Sequence, residues 1–395
     1  MKFVSIRFSG IFEDAFLYMG RLIIITEDNS VRVYNMKDVV NKLEEDETLL
    51  DAPTLLFFRN DLIDQAEFSE RLNDDTGKAD FLKAIEQIEL KSIEIDANFI
   101  EYVELDLKIK ADILLDLNIY NRRLYISTNK GLYHLDIDWE SENITPINEP
   151  QKRLDTKCIY TTAKFGTVNA SCGSEGLFSF IDDFSLGMNN TPKQNHIPEY
   201  SVRNAWLNFD VVNYSTTINS TLFNTLKTQS QQEPLESKKN FEQESWIVTD
   251  LNKSEFDFNN LFVNSNLENK IDLENIQFVY NSSKSLFLST YDGSLFILGL
   301  DNNSSSPIPR VSYSYQYRGL GSLVSSIHTL GVKKAGIILE MDEQVLLFAH
   351  GKFIPIFNSE VISIRTFAGS RHYKNIVSLT TSNEVLLIAI FDEEA

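Results

Sequence analysis

One motif recurs along this chain: a short apolar strand, a tight polar turn and a second apolar strand. The clearest copy is Ser285–Asp301, SLFLSTYDGSLFILGLD. Asp292-Gly293 marks its turn, because glycine accepts the positive φ that tight turns require. Further copies read RLIIITEDNSVRVYN (Arg21–Asn35), RLYISTNKGLYHLD (Arg123–Asp136), TVNASCGSEGLFSFID (Thr167–Asp182), AGIILEMDEQVLLFA (Ala335–Ala349) and NIVSLTTSNEVLLIAIF (Asn375–Phe391). Thr26 to Val31, Glu340 to Val345 and Thr380 to Val385 are the same step, and a weaker copy lies near Trp206–Leu226.

Outside insertions the copies return every ~40–50 residues, the period of a stacked or radial repeat protein. β-Branched and aromatic residues dominate the runs, which excludes helical repeats. Strands such as Leu22–Ile25 (LIII) are apolar on both faces. A sheet with one wet face would alternate, so these sheets are sandwiched between others, as the blades of a β-propeller are. The expected fold is therefore an all-β propeller of about seven blades, a single domain over residues 1–395. In the last blades, Leu323–Leu330, Gly336–Met341, Gln344–His350 and Lys352–Phe357 read as four strands, and Val361–Phe367, Ile376–Thr381 and Val385–Phe391 as three more. Lys2–Phe8 (KFVSIRF) is the missing fourth. Its pairing with Val385–Phe391 would remove two open edges.

These residues resemble the β-propeller superfamily, and Leu288–Asp301 is similar to the repeat of WD40-like and quinoprotein-like propellers. The strands lack the Trp-Asp and Gly-His dipeptides of WD40 repeats. The resemblance implies the fold. By analogy it implies a rigid interaction platform.

Two segments interrupt the pattern. Residues 37–90 form an acidic insertion in the first blade (LEEDE at 43–47), with helical spacing at Val39, Val40 and Leu43 and again at Leu82 and Ile85. It is expected as two or three short helices, either a lid or a docking element. Residues 226–244 (LKTQSQQEPLESKKNFEQE) are polar and read as a flexible loop. Phe184–Tyr200, with Pro192 and Pro198, also reads as a loop.

Charge narrows the partners. The net charge of −21 is spread along the chain, which repels phosphate backbones and anionic lipid and argues against direct nucleic-acid or membrane binding. Beyond solubility, such a surface suits another protein with a basic surface. Met1–Ser9 lacks the apolar centre of a signal peptide. No run reaches the ~18 residues of a membrane span. Two cysteines, Cys158 and Cys172, make no disulfide framework. The expected location is the cytoplasm, where N-x-S/T matches at Asn189, Asn213 and Asn281 are chance.

The sequence holds no catalytic constellation. The five histidines have no metal-binding spacing, and a nucleophile elbow, a phosphate loop and a calcium loop are absent. No cofactor or metal is expected. His328, Arg203 and Arg365 fall on strands that would line a central channel, where they could hold an anion or a peptide carboxylate. Val311–Arg318 (VSYSYQYR) places Tyr313, Tyr315 and Tyr317 on one face of a strand. Tyrosines there suit an interface, or they could cover a neighbouring blade's edge. The first functional reading is a non-catalytic scaffold or recognition subunit of a cytoplasmic complex. The second is a small-molecule or peptide binder, or an enzyme, using the central channel. A homo-oligomeric structural piece is the third.

Overall fold

A computed structural model describes the chain except residues 29, 45–92, 106, 110–112, 142–143, 165, 183–193, 208–209, 217–219, 225–251, 255–257, 268, 283, 302–309, 331–335, 371–372 and 392–395. The described strands pair into seven sheets, and nearly every pairing joins chain neighbours in antiparallel register. In fold class this is an all-β propeller, built from four-stranded meanders. The chain divides into two compact units, one of Met1–Lys108, Ile137–Ile147 and Val324–Ala395, the other of Ile109–Asp136 and Asn148–Leu323.

The first unit holds three complete sheets. In one, β1 (Lys2–Ser9), β2 (Phe12–Tyr18), β3 (Arg21–Thr26), β4 (Val31–Asn35), β5 (Ile93–Asp96) and β6 (Tyr102–Leu105) supply the order β2-β3-β4-β6, while β1 and β5 leave for another. Toward the C-terminus, β24 (Val324–Thr329), β25 (Ile337–Met341), β26 (Gln344–Ala349) and β27 (Lys352–Phe357) form a meander. The third sheet runs β28-β29-β30-β1-β5, with β28 (Ser363–Thr366), β29 (Ile376–Thr380) and β30 (Glu384–Phe391). Lys2 lies opposite Phe391 and Ser9 opposite Glu384 in antiparallel register. Val4, Ile6 and Phe8 point into a core shared with Leu22, Ile24, Val385 and Leu387. The two ends of the sequence are thus stitched into one sheet, as the strand pattern requires. β5 adds to β1 in parallel, Ile6 opposite Ile93, a pairing the sequence pattern does not announce. Helix α1 (Met36–Glu44) begins the insertion and sinks Met36, Val39 and Val40 into the same core. The rest of the insertion lies outside the described residues.

The second unit holds four sheets. β7 (Leu114–Tyr120), β8 (Arg123–Thr128) and β9 (Gly131–Asp138) lead the first of them. β9 pairs with β10 (Thr145–Pro146) at Ile137–Asp138 and with β11 (Gln151–Leu154) at Leu132–His134. β12 (Tyr160–Lys164), β13 (Thr167–Ser171), β14 (Leu177–Ile181) and β15 (Gln194–Ile197) form the next, and β16 (Arg203–Leu207), β17 (Asp210–Tyr214), β18 (Ser220–Asn224) and β19 (Asn252–Ser254) the third. The fourth is β20 (Ile276–Ser282), β21 (Ser285–Thr290), β22 (Ser294–Asp301) and β23 (Arg310–Arg318). Helix α2 (Phe258–Asn264) buries Leu261 and Phe262 against the faces of the last two sheets.

The weak copy at Trp206–Leu226 is a true one, β16 to β18. The expected loop Phe184–Tyr200 is partly strand: β15 pairs with β14, His196 opposite Phe178. Its sequence QNHI has Ile197 as its one apolar residue, buried with Leu177 and Trp206, and its imidazole stacks on the Phe178 ring at 4.4 Å, so an edge strand hides behind a loop-like composition. The 226–244 segment falls outside the described residues. No described helix is long and apolar enough to cross a membrane.

Candidate interaction surface

Four of the first strands of their sheets carry a β-bulge at the same place, at Phe12/Asp14, Leu114/Asp116, Ile276/Phe278 and Val324/Ser326. A bulge adds one residue and re-aims the side chain that follows. In two sheets that side chain is an aspartate turned toward the first strand of the adjoining sheet. Asp116 accepts from the Thr161 amide at 2.8 Å, and Asn118 donates to the Thr161 carbonyl at 2.9 Å. Asp14 accepts from the Ser363 hydroxyl at 2.6 Å and from Arg365, whose Nη2 lies 2.5 Å from Oδ2. Thr162 and Asn204 continue the lacing from β12 to β16. The sequence signal for it was present but unread: aligning the copies at Arg21 and Arg123 places Asp14 against Asp116.

This lacing takes up two of the residues expected at a channel. Arg365 is the partner of Asp14. Arg203 donates to the Val279 carbonyl at 2.6 Å, with its guanidinium 4.4 Å from the Tyr214 ring centroid and 4.5 Å from that of Phe278. Such stacking on aromatic faces is characteristic of arginine and holds it in place. His328 lies on β24 with Nε2 3.5 Å from a Glu340 carboxylate oxygen. His328 and Arg365 belong to the first unit and Arg203 to the second. Among the described residues, no three His, Cys, Asp or Glu side chains come together to hold a cation.

A second polar cluster is buried in the second unit. Arg123 bridges Asp136 (Nε to Oδ1, 2.6 Å) and Asp182. Nearby, Arg153 donates its Nε–H to Nδ1 of His134 at 2.8 Å. Burial, and then the positive Arg153, push the His134 pKa down to about 4. An imidazole held neutral can accept that hydrogen bond. The Asp182 carboxylate also accepts from Asn121. Every charge here has a partner, so the cluster is a clamp between β8, β9 and the end of β14.

The tyrosines behave differently. β23 has nine residues, pairs only with β22 among the described strands, and is exposed along nearly its whole length. Leu295, Ile297 and Gly299 lie opposite Tyr317, Tyr315 and Tyr313, so the three phenols share a face. Their rings form a ladder, with centroids 5.5 Å and 6.4 Å apart. Tyr313 is 47% and Tyr315 54% exposed. The ladder is seated on glycine: a Cβ on Gly299 would lie 2.1 Å from the Tyr313 ring. A bulge between Gly299 and Leu300 turns Val311 to the opposite face, where it packs with Leu298 and Leu300. Val311 is thus half-buried against the core, while Tyr313 and Tyr315 face solvent.

No protein-family model and no curated protein sequence matches this chain. Among solved structures it is similar to a chain of the mitotic checkpoint complex (8% identity, 94% of this chain and 84% of that one, TM-score 0.47). It is also similar to the Cps50 (Swd1) β-propeller domain of Myceliophteria thermophila (6% identity, 96% and 99%, TM-score 0.48). A third similar structure is BBS1N, solved in complex with ARL6DN (10% identity, 98% and 94%, TM-score 0.47). Each likeness is one of fold.

Proposed function

We propose that this chain is a non-catalytic recognition module that engages a protein partner through the tyrosine ladder of β23. One observation carries the reading: Tyr313 and Tyr315 stand about half exposed on the longest of the described edge strands. Arg203 and Arg365, the charged groups expected to receive a ligand, are instead held by aromatic rings and by Asp14. Tyrosine brings large contact area, low entropy cost and a polar tip, the traits of residues that dominate binding energy at interfaces. The −21 charge suits a partner with basic regions elsewhere on its surface.

The test replaces Tyr313 and Tyr315 together by serine. Exposed side chains contribute little to stability, so the melting temperature is expected to stay nearly unchanged. Proteins that co-purify with the wild-type chain from its own cells are expected to be lost. An identical set of co-purifying proteins in wild type and variant would refute the reading.

A further inference from the structure

Beyond Val311, whose amide donates to the Ser265 hydroxyl, the exposed edge of β23 is a place where another chain can be added as a strand. Such edges are normally blunted by short length, proline, charge or cover. Among the described terminal strands β11 has four residues, β27 carries Pro355 at its centre, and β2, β7 and β20 reach seven. β23 alone is nine residues long, without proline, and exposed nearly throughout.

Its hydrogen-bonding groups face the right way. Gly319 donates to the Gly293 carbonyl at the mouth of the β22–β23 pair, and donors alternate along an antiparallel ladder. In the register observed, the amides of Tyr313, Tyr315 and Tyr317 therefore turn toward β22, and those of Ser314 and Gln316 turn outward. The side chains sort into two rows: Tyr313, Tyr315 and Tyr317 on one face, Ser314, Gln316 and Arg318 on the other.

Charge selects the occupant. β23 begins at Arg310, ends at Arg318 and contains no acidic residue, in a chain of net charge −21. Asp301 lies opposite Arg310 in the sheet, and Asp292 feels the charge of Arg318. A second copy is the wrong partner, because full-length antiparallel self-pairing would set Arg310 against Arg318 at both ends. An incoming strand with carboxylates at its two ends would meet both arginines. Its alternate apolar side chains would lie over the tyrosines.

We infer that β23 accepts, by strand addition, an extended partner segment of alternating apolar and polar residues bounded by acidic ones. This rests on the proposed use of the tyrosine ladder and specifies what it recognises. Main-chain hydrogen bonds supply the affinity, and the side-chain rows supply register and choice.

The probe is a fluorescein-labelled nonapeptide, Glu-Val-Thr-Val-Thr-Val-Thr-Val-Glu, titrated with the full chain and read by anisotropy. Its counterpart has lysine at both ends. The acidic peptide is expected to bind at least about tenfold more tightly, one decade in Kd. Ser314→Pro removes an outward amide and leaves the β22 ladder intact, a position where edge strands tolerate proline. It is expected to abolish binding. Arg310→Glu with Arg318→Glu, two exposed changes that do not touch the core, is expected to reverse the peptide preference. No binding of either peptide, equal binding of both, or unchanged binding by either variant would overturn the inference. So would a dimer in light scattering that Ser314→Pro dissolves, since the occupant would then be a second copy. If proteins captured through Tyr313 and Tyr315 ignore both β23 edge variants, strand addition falls while the interaction surface stands. If the tyrosine variant itself captures the same set, the parent reading falls.

Discussion

His134 is almost wholly buried, with Arg153 as its neighbour. Its pKa of about 4 in the folded chain lies below the ordinary 6.5. Between these values the unfolded chain binds a proton that the folded one refuses. The stabilisation is complete above 6.5 and is lost as pH falls toward 4, by up to about 3 kcal/mol. Urea midpoints at pH 7 and pH 5 should therefore differ clearly for wild type and much less for His134→Gln. The Asp14–Arg365 pair makes a separate claim. Asp14→Ala removes the acceptor of both Arg365 and Ser363, with an expected cost of about 2 kcal/mol, given that the pair is partly exposed. Arg365→Met keeps the stem and should cost less; a double-mutant cycle between the two measures the coupling. These partners were illegible in the sequence because they stand 351 positions apart, and an aspartate on a strand says nothing about which sheet it will face.

At the scale of the element, the repeat is held by a threonine. Thr290 closes the turn after β21, its hydroxyl 2.5 Å from Asp292 Oδ1 and 3.0 Å from the Ser294 carbonyl. Thr26 does the same with Asp28 and Ser30, Thr128 with Gly131, and Thr381 with Asn383 and Glu384. These hydrogen bonds hold the carboxyls of Asp28 and Asp292 below their ordinary value. The constant step from Thr26 to Val31 recurs from Glu340 to Val345, where no threonine stands, so it follows from the turn length, and that regular spacing is why the turns and strands of β24 to β30 could be placed to within a residue or two. Thr290→Val keeps the shape and deletes the hydroxyl. It should lower stability by about 1 kcal/mol, measured as a shift in the denaturant midpoint without a change in slope. β15 escaped notice for the opposite reason: only Ile197 of its QNHI is apolar, and one buried residue makes no pattern.

For the molecule as a whole, the decisive apolar contact is the one between its extreme strands. Phe8 is fully buried in the core that β1 shares with β30. Phe8→Ala should cost about 3–5 kcal/mol. Because β1 and β30 are one ladder, hydrogen exchange should accelerate in both strands together, more than in β20 to β23. Repeat spacing and a bare terminal strand sufficed to anticipate this pairing. The division into two units, each with its own polar clamp, left no mark in the spacing, because the same motif builds both.

The β1–β30 pairing also sets a timetable for biosynthesis. Val4, Ile6 and Phe8 are synthesised well before their partners between Glu384 and Phe391. At ordinary elongation rates that interval is roughly 20–80 s. Throughout it, an apolar strand waits without its antiparallel neighbour while the sheets of the second unit can already assemble. A nascent chain of this kind has a strong need for a holding chaperone on β1.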